Sequence, residues 1–333
     1  MPLPTVAIIG TGGTISGVGQ DRLDLYEYGT SGRLMHVDEL VDTVPELAQF
    51  ATIKPIRYRN VVSTALGPVE WLELVRLVHQ AAADTPGLAG IVITHGTASL
   101  EETAYALNLA LKVEIPVVVV GAMRPSSALG ADGGMNLLNA VRVAITPEAR
   151  GMGVLVVLND EINAARDVAK TSNYRVQTFR SPDWGLLGHT DGDNVAFYRR
   201  PLRRSAPDTE FDVAALTSLP RVDIIPTYGG ADAALIEAAI AAGAQGLVSA
   251  GFPSGTPTPL QRQALVNAAK NGIVVVQSSR AGSGRVIATK ASLLSDGFVA
   301  ADTLPPIKAR ILLMMALTRT KDPTEIRRIF ATY

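Results

Sequence analysis

Short apolar runs, each closed by a glycine-bearing turn, set the rhythm of the first two-thirds of the chain. Val6, Ala7, Ile8 and Ile9 lead into Gly10-Thr11-Gly12-Gly13-Thr14-Ile15-Ser16. Ile91, Val92 and Ile93 lead into Thr94-His95-Gly96-Thr97-Ala98-Ser99-Leu100-Glu101-Glu102. Runs of this length without polar alternation predict strands buried on both faces, as in a parallel sheet. Between them, residues 68–83 carry Leu72, Val75, Val78 and Ala82 at helical spacing, with Pro68 near the start, where proline fits helix geometry. Residues 99–112 place Leu100, Thr103, Ala104, Leu107 and Leu111 on one face of a second helix. A strand over 116–120, a helix over 135–145 and a strand over 153–158 continue the alternation, which predicts parallel pairing with right-handed crossovers. Residues 185–199 read as a hairpin turning at Asp191-Gly192-Asp193-Asn194.

The pattern breaks at Arg199-Arg200-Pro201-Leu202-Arg203-Arg204, which is polar, aperiodic and followed by further prolines. No aromatic residues interleave with these arginines, so the run reads as the solvated start of a linker ending near Pro220. A second set follows: strands over 222–225, 246–249 and 273–277, helices over 231–242 and 259–271, and closing helices over 306–317 and 323–330. No internal repeat of 20–50 residues interrupts this order. The expected fold class is α/β with two α/β domains. The larger N-terminal one spans 1–200 around a mostly parallel sheet, 201–220 form a linker, and the smaller C-terminal one spans 221–333.

Composition narrows the function. Hydrophobic residues make up 47% of the 333 positions, enough for two cores, and the net charge of -1 offers nothing to nucleic acid or an anionic membrane. With no cysteine, thiol catalysis, disulfides and cysteine metal sites are excluded. The four histidines (His36, His79, His95, His189) show no H-x-x-x-H or H-x-H spacing, so no metal site is expected. No stretch reads as a signal peptide or a membrane span, and the expected compartment is the cytoplasm.

The candidate chemistry lies in the two glycine-bearing turns, because ligands of open parallel sheets bind beyond the carboxyl ends of the strands. A dinucleotide fingerprint would require glycine where Ile15 stands and a helix where Gly17-Val18-Gly19-Gln20-Asp21-Arg22 reads as a mobile loop. A phosphate-binding Gly-Lys-Ser/Thr is absent. Acyl transfer fits better. A threonine hydroxyl needs a base and oxyanion donors, and glycine turns expose backbone N–H groups. A lysine base suits a site without cysteine or metal, although spacing does not select which lysine. One such threonine is more simply a strand-end cap; two similar turns together favour catalysis.

These residues resemble the bacterial-type L-asparaginase/glutaminase family over essentially the whole chain. The resemblance is carried by Thr11-Gly12-Gly13-Thr14-Ile15, Ile93-Thr94-His95-Gly96-Thr97, Glu101-Glu102-Thr103-Ala104, Val120-Gly121-Ala122-Met123-Arg124-Pro125, Asn159-Asp160, Arg166-Asp167-Val168-Ala169-Lys170-Thr171 and Thr318-Arg319-Thr320-Lys321-Asp322-Pro323. It implies a flavodoxin-like sheet in the first domain, a homotetramer of intimate dimers, and amide hydrolysis by double displacement with no cofactor. It implies that Thr14 is the nucleophile, that Lys170 activates Thr97, and that Ser63 holds a substrate carboxylate. It also implies a loop tyrosine assisting Thr14; Tyr26 and Tyr28 compete for that role, and Tyr28, beside Gly29, is preferred. Gly13, Gly96, Thr64, Ala98 and Ser254 fall at the expected substrate-binding positions. Three of these depart from the family pattern. Ala98 replaces an aspartate expected to bind the substrate α-ammonium, Thr64 a glutamine and Ser254 an asparagine, while residues 285–295 lack a glutamate expected from a partner subunit. The losses share a theme, pointing to an amide without a free α-ammonium. A non-catalytic small-molecule binder on the same fold is the alternative, motivated by the missing aspartate beside Lys170. Glu101 and Glu102 are expected to serve their helix N-terminus, His95 to be structural, Asp132 to cap a turn or helix, and Arg124 to be able to pair with Asp167.

Overall fold

A computed structural model describes residues 2–333, and the chain divides into two compact units, Met1–Thr209 and Glu210–Tyr333. In the first, eight strands form one sheet: β1 (Thr5–Gly12), β2 (Thr52–Val61), β3 (Leu88–Thr94), β4 (Val117–Val120), β5 (Val154–Leu158), β6 (Glu161–Ala164), β7 (Gly188–Thr190) and β8 (Val195–Phe197). Their spatial order is β8-β7-β6-β5-β4-β3-β1-β2. The strands β1 to β5 run parallel, and β6 to β8 add antiparallel pairs. The order 2-1-3-4-5 within the parallel part is the flavodoxin-like winding, whose direction reverses between β1 and β3.

The apolar runs become strands because helices cover both faces of the sheet. Val6, Ile8, Val92, Val118, Val120, Leu155 and Val157 point to one face, where they meet Leu137, Ala140 and Ala144 of the helix Gly133–Ile145. Val37 and Leu40 of the short helix Val37–Asp42 join that cluster. The intervening residues Ile9, Ile91, Ile93, Val119 and Val156 are also fully buried and face the other way. On that side the helix Leu100–Ala110 packs on β4 and β5, and the helix Pro68–Asp84 packs on it. Trp71 Nε1 donates to Thr103 Oγ1 at 3.1 Å, satisfying a buried donor between these two helices.

Two strands of this sheet have no counterpart in the apolar pattern. β2 is an edge strand carrying Lys54, Pro55, Arg57 and Arg59 on its exposed positions, and an edge tolerates both the proline and the charges. β6 returns from β5 through Asn159 and Asp160, both with positive φ (52° and 61°), the two-residue hairpin turn that asparagine and aspartate permit.

Residues 198–221 hold neither helix nor strand, and the division between units falls within them. The segment is nonetheless packed: Ala206 and Thr209 are buried in the first unit, Phe211 and Val213 in the second. The second unit is a four-stranded parallel sheet, Val222–Pro226, Gly246–Gly251, Val274–Ser279 and Val299–Ala300 in that order. Ile225, Leu247 and Val275 pack against Ile236 and Leu265 of the helices Ala234–Ala241 and Pro259–Lys270. The helix Pro306–Leu317 also packs on this sheet, and Leu313 lies over the bare Gly246. Among the described residues, no helix is long and apolar enough to cross a membrane.

Candidate active site

The reversal in winding leaves the carboxyl ends of β1 and β3 side by side, with Gly10 opposite Thr94. Thr11 Oγ1 donates to the Thr94 carbonyl at 2.9 Å and ties the two ends together. On the outer side, Gly13 N donates to the Val61 carbonyl at 3.0 Å. Gly13 has φ 82° and ψ -174°, a conformation glycine adopts readily and other residues rarely. A Cβ there would fall 2.2 Å from Gly96 Cα, so the two turns nest against each other only because both positions are bare. Thr14 follows on a single turn of 3-10 helix, Thr14–Ser16, rather than on a long helix.

Thr14 is half-buried and its hydroxyl lies 2.8 Å from the Tyr28 hydroxyl. Of the two candidate tyrosines, Tyr28 therefore meets Thr14, whereas Tyr26 is 76% exposed. Thr97 is buried, and Lys170 Nζ donates to its Oγ1 at 2.8 Å. Lys170 comes from the short ribbon pairing Ala169–Lys170 with Phe179–Arg180. Its backbone N–H donates to Glu101 Oε1 at 3.2 Å. Burial pushes the Lys170 amine below its ordinary pKa, and the Glu101 carboxylate opposes that shift. Glu101, read from sequence as a helix-terminus charge, is thus a buried neighbour of the lysine. Its place in the first turn of the helix after Thr97 was the available signal.

Ser63 is buried beside Gly96, where its Cβ would stand 2.8 Å from a Cβ on that glycine, and Ser99 Oγ donates to the Ser63 carbonyl at 2.7 Å. Thr64 and Ala98 are exposed, as are Val62 and Ala65, so the residues flanking Ser63 and Thr97 present no charge. Ser254 belongs to the second unit, on a turn where it and Gly255 both have positive φ, 63° and 81°. Among the described residues, no group of three or more His, Asp or Glu could hold a metal ion.

Neighbouring polar residues fix the frame. Asp132 opens the helix Gly133–Ile145 without capping its N–H groups; its carboxylate accepts from Met123 N and Arg124 N, both at 2.9 Å, and closes the turn after β4. Arg124 donates to the Gly130 carbonyl and Asp167 pairs with Arg166, so Arg124 and Asp167 each find another partner. His95 is fully buried; its Nδ1 lies 2.8 Å from the Gly96 carbonyl and so carries the ring proton, while Nε2 has no hydrogen-bond partner.

Burial pushes the His95 pKa down to about 4 from 6.5. The folded state therefore resists a proton that the unfolded chain accepts below pH 6.5. The associated stability is complete above that value and is lost as pH falls toward 4. Between pH 7 and 4.5 the loss should be about 2–3 kcal/mol at this one site. Denaturant titrations at the two pH values should show a smaller pH loss for His95→Gln than for the wild type. An equal loss would refute the assignment.

The arrangement is two hydroxyls at one sheet edge, Thr14 hydrogen-bonded to Tyr28 and Thr97 to Lys170. Residues 5–203 match the family described as asparaginase, N-terminal, and residues 221–330 the glutaminase/asparaginase C-terminal domain. The chain is 43% identical to L-asparaginase 2 of Bacillus subtilis, covering 99% of this chain and 87% of that protein. It is 43% identical to the probable periplasmic L-asparaginase of Haemophilus influenzae, covering 99% and 93%. The crystal structure of the probable cytoplasmic L-asparaginase from Campylobacter jejuni is similar with a TM-score of 0.94 and 40% identity, covering 99% of this chain and 100% of that one.

Proposed function

The chain belongs to the asparaginase family, hydrolases of amide C–N bonds, and from that premise we propose that it cleaves a side-chain amide with Thr14 as nucleophile. The observation that carries this reading is the pairing of Thr14 with Tyr28 and of Thr97 with Lys170, each at 2.8 Å. Thr14 Oγ attacks the amide carbon while its proton passes to the Tyr28 hydroxyl, which releases its own proton toward the amide nitrogen. Backbone N–H groups of the glycine turns are the available donors for the oxyanion. The C–N bond breaks, the nitrogen takes the proton released by Tyr28, and ammonia leaves an ester on Thr14. A water then attacks that ester. Its proton passes through Thr97 to the neutral Lys170 amine and returns to Thr14 as the acid is released. The non-catalytic alternative drew on the missing aspartate beside Lys170, yet Lys170 still reaches Thr97.

Ser63 holds the substrate carboxylate in this reading, with Gly13, Gly96, Thr64 and Ala98 as further binding positions. The substrate is L-asparagine, yielding L-aspartate and ammonia, or a related amide. The uncharged residues beside the site favour amides lacking a free α-ammonium, such as succinamic acid or N-acetyl-L-asparagine. Ammonia release should be faster from these than from L-asparagine, L-glutamine or D-asparagine at matched concentration. Ala98→Asp should swing the ratio toward asparagine by about tenfold to a hundredfold, the worth of one hydrogen bond to a charged group. An unchanged ratio would refute the amine-recognition argument.

The catalytic threonines belong to an N-terminal domain, 1–200, joined through 201–220 to the C-terminal domain, 221–333. The working assembly is a homotetramer in the cytoplasm, supported by the family resemblance and by the name of the Campylobacter jejuni relative. Light scattering and cell fractionation test these two points.

A further inference from the structure

We propose that Asp24 is the positioning residue that sets Tyr28 against Thr14; the inference rests on the reading of Thr14 and Tyr28 as the nucleophilic pair. Tyr28 opens a helix of four residues, Tyr28–Ser31, far too short to be stable by itself. Its first N–H groups need acceptors from elsewhere. Asp24 supplies them: Oδ1 accepts from Glu27 N at 2.8 Å and from Tyr28 N at 3.0 Å. Its Oδ2 accepts from Gln20 N at 3.3 Å, so one carboxylate joins both limbs of the segment that carries Tyr28. Asp24 is in turn held by Asp21, whose Oδ1 accepts from Asp24 N at 3.1 Å.

The segment is seated on the turn after β4. Ser126 donates through both N and Oγ to the Gly17 carbonyl, at 2.8 and 2.7 Å. Gly19 N donates to Ser127 Oγ at 2.8 Å, and Leu129 N to the Arg22 carbonyl at 2.8 Å. Gly17 leaves room for the phenol ring, since a Cβ there would fall 2.9 Å from Tyr28 Cδ2. These contacts fix where the segment starts; Asp24 fixes where the Tyr28 backbone stands within it. Both bonds to the short helix land on Oδ1, so an acceptor oxygen is required and a negative charge is not.

Misplacing a reacting group by about 1 Å can cost on the order of 10²-fold in rate. Asp24→Ala should therefore lower kcat by about tenfold to a hundredfold, with KM changed less than twofold. Asp24→Asn, whose amide oxygen can replace Oδ1, should keep kcat within about threefold of the wild type. The decisive measurement repeats Asp24→Ala in a Tyr28→Phe background. If Asp24 acts through the phenol, the second substitution adds nothing to the loss caused by Tyr28→Phe. A further loss of the same size in both backgrounds overturns the proposal, as does an Asp24→Asn protein as slow as Asp24→Ala. Should Tyr28→Phe lower kcat while Asp24→Ala does not, the proposal fails and the nucleophilic reading stands. Should Tyr28→Phe leave kcat unchanged, the reading of the Thr14–Tyr28 pair fails first.

Discussion

Thr14→Ala lowers ammonia release by about 10⁴-fold or more in the expected result, and leaves the fold intact. The size follows from role: the variant lacks the atom that forms the ester, and removing a nucleophile disables the whole catalytic unit. Stability should be spared because the turn is shaped by other atoms. Gly13 N and Ser16 N make their backbone bonds regardless of the residue 14 side chain. Ile15, fully buried, anchors the turn to the core. The lost contact is the half-exposed one with Tyr28, a neutral hydrogen bond worth about 1 kcal/mol net. The thermal midpoint should move by only a few degrees, while turnover of every amide in the substrate panel falls together. A Thr14→Ala protein with more than a tenth of wild-type activity would remove Thr14 from the nucleophilic role, and Thr97 would be the hydroxyl to test next.

How far the site could be read from sequence depended on whether its determinants were local. The turns after β1 and β3 were legible because each pairs an uninterrupted apolar run with glycines, and a buried parallel strand ending at a functional edge leaves that pattern. β2 was not legible, since only its inner positions are covered and Pro55 and three basic residues face outward. The Asn159-Asp160 turn did carry a hairpin signal, but the strand after it, Glu161–Ala164, is only four residues long. Asp132 read as a cap of a turn or a helix, and it is the turn that it serves, accepting from backbone N–H groups eight and nine residues earlier.

The other determinants of the site are long-range. Spacing alone left Tyr26 and Tyr28 open, because the path of their segment depends on bonds to Ser126 and Ser127 across more than a hundred residues. The lysine partner of Thr97 lies 73 residues downstream on a two-residue strand. Neither periodicity nor capping chemistry reports contacts of that kind, and both tyrosine and lysine were reached through family resemblance.

Lys170→Met should lower kcat by about 10³-fold, within the range for losing a general base. The two pairs divide the work, so the loss should fall on the water step. Thr14 and Tyr28 remain able to open the amide, and the variant should release about one equivalent of ammonia per site before stalling. Lys170→Arg should be as slow as Lys170→Met, because a guanidinium keeps its proton at any working pH. The pH profile carries the same argument with a sign. Only the neutral amine accepts a proton, so wild-type activity should rise with pH through the Lys170 pKa. Burial sets that limb below the ordinary lysine value of 10.5. Glu101→Gln removes the carboxylate that favours the charged amine but keeps an oxygen for the Lys170 N–H, so the limb should move to lower pH. A Lys170→Arg protein close to wild type would make the residue a fixed positive charge and not a base. The lowered pKa would then have no catalytic use, and the water step would need another proton acceptor beside Thr97.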